Sequence, residues 1–101
     1  MTIYIAGPMA GLPGCNRVAF DRAEHKLEGL GYTAMNPAWL SERLPKKCYL
    51  PICMEMIDQS DGLVLLPGWE QSKGAQVERA YAEYNGKPVW LLEELIGGDG
   101  T

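Results

Sequence analysis

Asp61-Gly-Leu-Val-Leu-Leu-Pro-Gly-Trp-Glu-Gln-Ser-Lys-Gly-Ala-Gln-Val-Glu78 is the stretch that decides the fold. Gly62 to Leu66 is apolar with no polar alternation, the mark of a strand covered on both faces. Pro67-Gly68 breaks it. Ser72 then caps a helix whose first turn holds Lys73, Gly74 and Ala75, and Asn85-Gly86 closes that helix. A buried strand, a loop and an outer helix form part of a βαβ unit.

The same alternation recurs on both sides. Ile3 to Ala6 reads as a central strand, stopped by Gly7-Pro8 and followed by a glycine-rich loop to Gly14. Asn16 suits the cap of a helix running to about Leu30, with Ala19, Ala23, Leu27 and Leu30 as its buried stripe. Tyr32 to Met35 is a second strand, and residues 37–47 read as irregular. Tyr49 to Ser60 suits a helix with Pro51 in its first turn and Ile52, Met56 and Ile57 toward the core. Lys87 to Leu92 is the last strand. The order βαβαβαβ predicts an α/β domain: a mostly parallel sheet of four to five strands between helix layers, joined by right-handed crossovers. One domain over residues 1–96 is expected, with 97–101 as a loose tail.

Bulk properties narrow the function. A chain of 101 residues with 47 % hydrophobic content fits one globular domain. A net charge of −4 gives no basic face for nucleic acid or an anionic membrane. Helix N-terminal amides still hold a small anion without net positive charge. The three cysteines are odd in number and make no CxxC pair, so a reduced, cytoplasmic setting is expected. With one histidine there is little material for a zinc site, and neither metal nor cofactor is implied. No leader and no apolar run of about 18 residues is seen, so no membrane span is expected.

In such sheets ligands bind beyond the carboxyl ends of the strands. Loops 7–14 and 67–74 leave those ends. Gly74 and Ala75 let a ligand approach the start of the third helix closely. Glu78 lies four residues after Gly74, hence on the same face. Near the positive helix end its carboxylate is expected to be ionised. Such a carboxylate beside an anomeric carbon can attack it. A surface glutamate on an amphipathic helix has the same spacing. Gly7-Pro8-Met9 flank that position, without a GxGxxG or P-loop pattern. Trp69 can stack on a base or pack against a partner subunit. Tyr4 reads as core within reach of a ligand. Asp61 reads as a cap or turn residue and is the second carboxylate retained for chemistry. Arg17 has a phosphate or a solvated role open to it, His25 falls on an exposed face, and Cys53 sits on a helix facing the site.

Tyr4-Ile-Ala-Gly-Pro-Met9 together with Asp61 to Ala80 resembles the DUF4406 family, over about residues 3–92. That family is similar to nucleoside 2-deoxyribosyltransferases and deoxynucleoside 5′-monophosphate N-glycosidases. The resemblance implies a flavodoxin-like, Rossmann-like three-layer sandwich and a homodimer or higher homo-oligomer. It implies a small-molecule nucleoside or nucleotide as ligand, and N-glycosidic cleavage or deoxyribosyl transfer with Glu78 as nucleophile. It also implies Ser72 at a 5′-phosphate and Gly7, Pro8 and Met9 along the sugar or phosphate. Two departures stand out. Those enzymes carry an aspartate acting on the leaving base where this chain has Cys53. The monophosphate glycosidases have an arginine shortly after the first glycine, and here none precedes Arg17. Glu55 points about 200° further round the helix, which leaves Asp58, Glu70 or a partner subunit to supply the proton. Phosphoribohydrolases resemble the Pro67 to Glu78 segment more loosely. Two other classes remain open: a nucleotide-binding module without catalysis, and an interaction protein using Trp39, Trp69 and tyrosines.

Overall fold

The computed structural model describes residues 1–97. Its strands are β1 (Thr2–Ala6), β2 (Thr33–Met35), β3 (Gly62–Leu65) and β4 (Val89–Leu91). Its helices are α1 (Arg17–Gly29), α2 (Lys46–Asp58), α3 (Lys73–Tyr84) and the one-turn α4 (Leu92–Leu95). All four strands run parallel in the order β2-β1-β3-β4. This is the doubly wound order of flavodoxin-like sheets, with helices on both faces.

Strand parity divides the core. Successive side chains of a strand point to opposite faces. Ile3, Ile5, Val64 and Leu66 therefore meet Phe20, Ala23 and Leu27 of α1, with Leu92 and Leu95 of α4 packed alongside. Tyr4, Ala6, Leu63 and Leu65 point the other way, onto Cys53 and Ile57 of α2 and Ala82 of α3. The register Tyr4 to Leu63 and Ala6 to Leu65 keeps the two central strands in step. Gly7 makes the exit from β1 possible, because a β-carbon there would stand 2.8 Å from Leu66 Cβ.

Several local expectations are corrected. The stripe of α1 is Phe20, Ala23 and Leu27; Ala19 is half-buried and Leu30 is 55 % exposed. Leu30 lies past the last helical residue, so the 3.6-residue period no longer aims it inward. Asn16 occupies the cap position in a left-handed conformation (φ 60°) and makes no side-chain cap. Its amide instead donates to the Pro8 carbonyl at 2.9 Å, tying the two ends of the glycine-rich loop together. α2 starts at Lys46, three residues early, which places Pro51 inside the helix at the loss of one backbone hydrogen bond. Its inward face is led by Cys53 and Ile57, while Ile52 and Met56 are only partly covered. The last strand stops at Leu91, and α4 folds Leu92 and Leu95 back onto the core. Of the expected tail only Gly97 belongs to the described residues.

Candidate functional site

A cleft of about 480 Å³ opens where β1 and β3 end. Gly7 and Met9 come from the loop after β1; Ser72, Gly74, Ala75 and Glu78 come from α3 and its approach. The opposite wall is Pro37, Leu44, Tyr49, Leu50 and Cys53, from the segment before α2 and from α2 itself. Ser72 caps α3, its Oγ accepting from the Ala75 amide at 3.2 Å. A β-carbon on Gly74 would meet nothing nearer than Ser72 Oγ at 4.0 Å, so a ligand has open access to the backbone at the start of α3.

Glu78 is the buried polar group of this cleft, with 8 % of its surface exposed. Tyr4 donates its hydroxyl proton to Glu78 Oε2 at 2.9 Å across 74 residues of sequence. Parity explains the pair: even positions of β1 face α2 and α3, so the Tyr4 ring lies under α3. The Cys53 thiol lies beside both, close enough to perturb their titration.

Burial controls the titration of the three groups. Desolvation pushes the Glu78 carboxyl up from 4.5 to about 7, against the opposing hydrogen bonds from Tyr4 and Cys53. The expectation of a fully ionised carboxylate at neutral pH is thus corrected. Glu78 is the sixth residue of α3, and the helix-end field fades within the first turn. Burial likewise pushes the Cys53 thiol up to about 11. It holds the Tyr4 hydroxyl well above the usual phenol range, helped by the neighbouring Glu78 charge.

Seven of the residues singled out in the sequence therefore meet at one cleft: Gly7, Met9, Cys53, Ser72, Gly74, Ala75 and Glu78. Tyr4 is fully buried and reaches the cleft only through Glu78. Pro8 packs toward Gly68, where an added β-carbon would stand 3.3 Å from Pro8 Cγ. Trp69 packs against the Tyr4 and Ile57 core, with the Arg79 guanidinium 5.4 Å from its ring centre. Neither lines the cleft. Asp61 lies at the other end of the sheet: it precedes β3, and its Oδ2 accepts from the Thr2 amide at 2.8 Å. Four strand residues, roughly 13 Å at about 3.3 Å each, separate it from the end that carries the cleft. Its carboxylate closes the start of the sheet, so it is not a partner for Glu78.

The other acids are placed as clearly. Asp58 accepts from the Tyr81 hydroxyl at 2.7 Å, and both Asp58 and Glu70 are exposed away from the cleft lining. Arg17 donates to the Ala38 carbonyl and pairs with Glu42 at 3.3 Å. Glu42 and Tyr49 line the cleft, and sequence reading passed over both. Glu42 lies in the irregular segment before α2, and Tyr49 on α2 ties that segment down, its hydroxyl donating to the carbonyls of Ser41 (2.8 Å) and Leu40 (3.3 Å). Among the described residues no cluster of three or more His, Cys, Asp or Glu suits a metal ion. No helix among them is long and apolar enough to cross a membrane.

Fold and site together define a doubly wound α/β protein with a carboxylate-bearing cleft at its strand ends. The chain belongs to the DUF4406 family, described as a domain of unknown function, whose model matches residues 1–91. Two solved structures are similar. One is a 2-desoxiribosyltransferase from Leishmania mexicana, at a TM-score of 0.71 and 22 % identity over 87 % of this chain. This chain spans 61 % of that protein's length, and at such identity the likeness shows the fold alone. The other is the solution structure of BlsM, at a TM-score of 0.70 and 26 % identity, covering 97 % of this chain and 68 % of that one. No curated protein matches the chain.

Proposed function

We propose that this protein cleaves or transfers at the N-glycosidic bond of a deoxynucleoside, a nucleoside or its 5′-monophosphate, with Glu78 as the nucleophile. The observation that carries the reading is the buried Glu78 carboxyl at the floor of the cleft, with one oxygen held by Tyr4 at 2.9 Å. A nucleophile needs a fixed direction and an accessible charged form. The hydrogen bond supplies the first. A pKa of about 7 supplies the second, since near neutral pH about half the molecules carry the carboxylate. The start of α3, with Ser72 and the bare Gly74, supports a place for a phosphate or a sugar hydroxyl. The proposal includes a reduced, cytoplasmic setting and a homodimer or higher assembly, which sedimentation velocity reads directly.

One observation favours a second reading. Cys53 occupies the wall where a proton donor for the leaving base is expected, and its thiol is held protonated by burial. A module that binds nucleotides without turning them over fits that fact. Incubation of the protein and of Glu78→Gln with deoxy- and ribonucleosides and their 5′-monophosphates, read by chromatography, separates the two. Free base from the wild type and none from Glu78→Gln supports the enzyme. No base from any compound, with thermal stabilisation by one of them, supports the binding module.

A further inference from the structure

When an N-glycosidic bond breaks, the base takes the bonding electron pair, and a neutral purine or pyrimidine then needs a proton to leave well. The phenolic protons at this cleft are already committed, and the other donors are thiols or an alcohol set apart from the Cys53 wall. The Tyr49 hydroxyl proton goes to the carbonyls of Ser41 and Leu40. The Tyr4 proton goes to Glu78. The Cys53 thiol lies beside that same pair, is held protonated by burial, and is a weak donor. Ser72 sits at the start of α3, away from the Cys53 wall, and Cys15 offers only a weakly donating thiol. Glu42 is engaged by Arg17 at 3.3 Å.

The character of the walls points the same way. The described lining residues include two carboxyl groups, Glu42 and Glu78, and no Lys, Arg or His. Tyr49 adds aromatic surface, and Leu44 and Leu50 add apolar surface, while Phe20 backs the cleft from within the core. With Glu42 compensated by Arg17, the Glu78 carboxylate and the Tyr49 face are what attract a cationic ring, and they gain little from a neutral one.

Resting on the glycosidase reading above, we propose that the cleft serves N-glycosides whose base is already cationic, a ribosyl pyridinium or an N7-alkylated purine nucleotide, because such a base departs without a proton. In the first step a Glu78 carboxylate oxygen bonds to C1′ as the C1′–N bond breaks. The electron pair of that bond returns to the ring, which goes from a positive charge to neutral. Water then bonds to C1′, the Glu78 oxygen leaves with its electron pair, and the water proton passes to solvent. One proton is released per turnover, and no oxidant or reductant takes part.

The test compares pairs that differ by one charge. The wild type and Glu78→Gln would be given 7-methylguanosine 5′-monophosphate and guanosine 5′-monophosphate, the matching deoxynucleotides, and nicotinamide riboside 5′-phosphate. Base release is followed by chromatography and proton release by an indicator dye. Each rate is divided by the uncatalysed rate of the same compound, which removes the intrinsic lability of the cation. General acids contribute roughly 100- to 10,000-fold. The expected result is an enhancement at least about 100-fold larger for the cationic member of each pair, lost in Glu78→Gln. Cys53→Asp is expected to raise cleavage of the neutral member by about tenfold or more. If that variant does not fold, the wild-type comparison decides alone. Equal enhancements for both members would overturn this inference and leave the glycosidase reading standing. Cleavage of neither would remove both.

Discussion

Replacing Glu78 with glutamine tests the burial argument without needing a substrate. The Glu78 carboxyl is moved from 4.5 to about 7, chiefly by desolvation. In the unfolded chain it titrates near 4.3. Between those two values the folded protein holds a proton that the unfolded chain has lost. Stability therefore falls as pH rises through this window, because the folded state binds more protons. Each pH unit of separation corresponds to 1.36 kcal/mol. A gap of about 2.5 units gives a loss of about 3 kcal/mol by pH 8, relative to pH 4. That is a large share of the stability of a small domain. Glutamine keeps the shape and the acceptor for Tyr4 but has nothing to ionise. Near pH 4 the two proteins should be about equally stable. By pH 8 Glu78→Gln should be more stable by about 3 kcal/mol, with the difference opening between pH 4.5 and 7. Urea denaturation at intervals of half a pH unit measures it, with unchanged m values as the check on two-state behaviour. A difference that stays flat with pH, or one that favours the wild type at pH 8, would refute the claim that Glu78 is ionised at a desolvation cost.

Three further outcomes follow from single contacts. Tyr4→Phe removes the donor to Glu78 Oε2, a bond that favours the charged carboxylate, so the Glu78 titration should move above its value of about 7; ¹³C NMR of labelled glutamate reads this, and an unmoved or lowered midpoint contradicts it. Ser72→Ala removes the cap of α3 and should cost about 1 kcal/mol in urea denaturation. The same variant should lose more of the thermal stabilisation given by a nucleoside 5′-monophosphate than of that given by the free nucleoside; equal losses speak against a phosphate at this helix start. Gly7→Ala places a β-carbon 2.8 Å from Leu66 Cβ and should destabilise by roughly 1–3 kcal/mol, and a neutral result in denaturation would show that the strand ends yield more easily than close packing allows.

The elements were legible wherever burial imposes a period. Gly62 to Leu66 is apolar throughout because both faces of β3 are covered, and it reads as such without coordinates. Ser72, Gly74 and Glu78 fall on one helix face by spacing alone, and the structure gathers them at the cleft. The irregular wall was not legible. Glu42 and Leu44 enter through a segment held by the Tyr49 hydroxyl of α2 on two of its backbone carbonyls, and a hydrogen bond of that kind leaves no period in the sequence. Asp61 shows the opposite error: adjacency to a functional strand is not adjacency to its functional end.

The sequence by itself determined the order of strands and helices, the parallel sheet and the end at which to look, because each follows from local periodicity and the handedness of crossovers. Only the tertiary structure decided the chemistry of Glu78. Its partner Tyr4 is 74 residues away, brought there by the parity of β1 and its register with β3. Its pKa of about 7 comes from how many neighbours exclude water from it, and desolvation is a property of packing in three dimensions, with no counterpart along the chain.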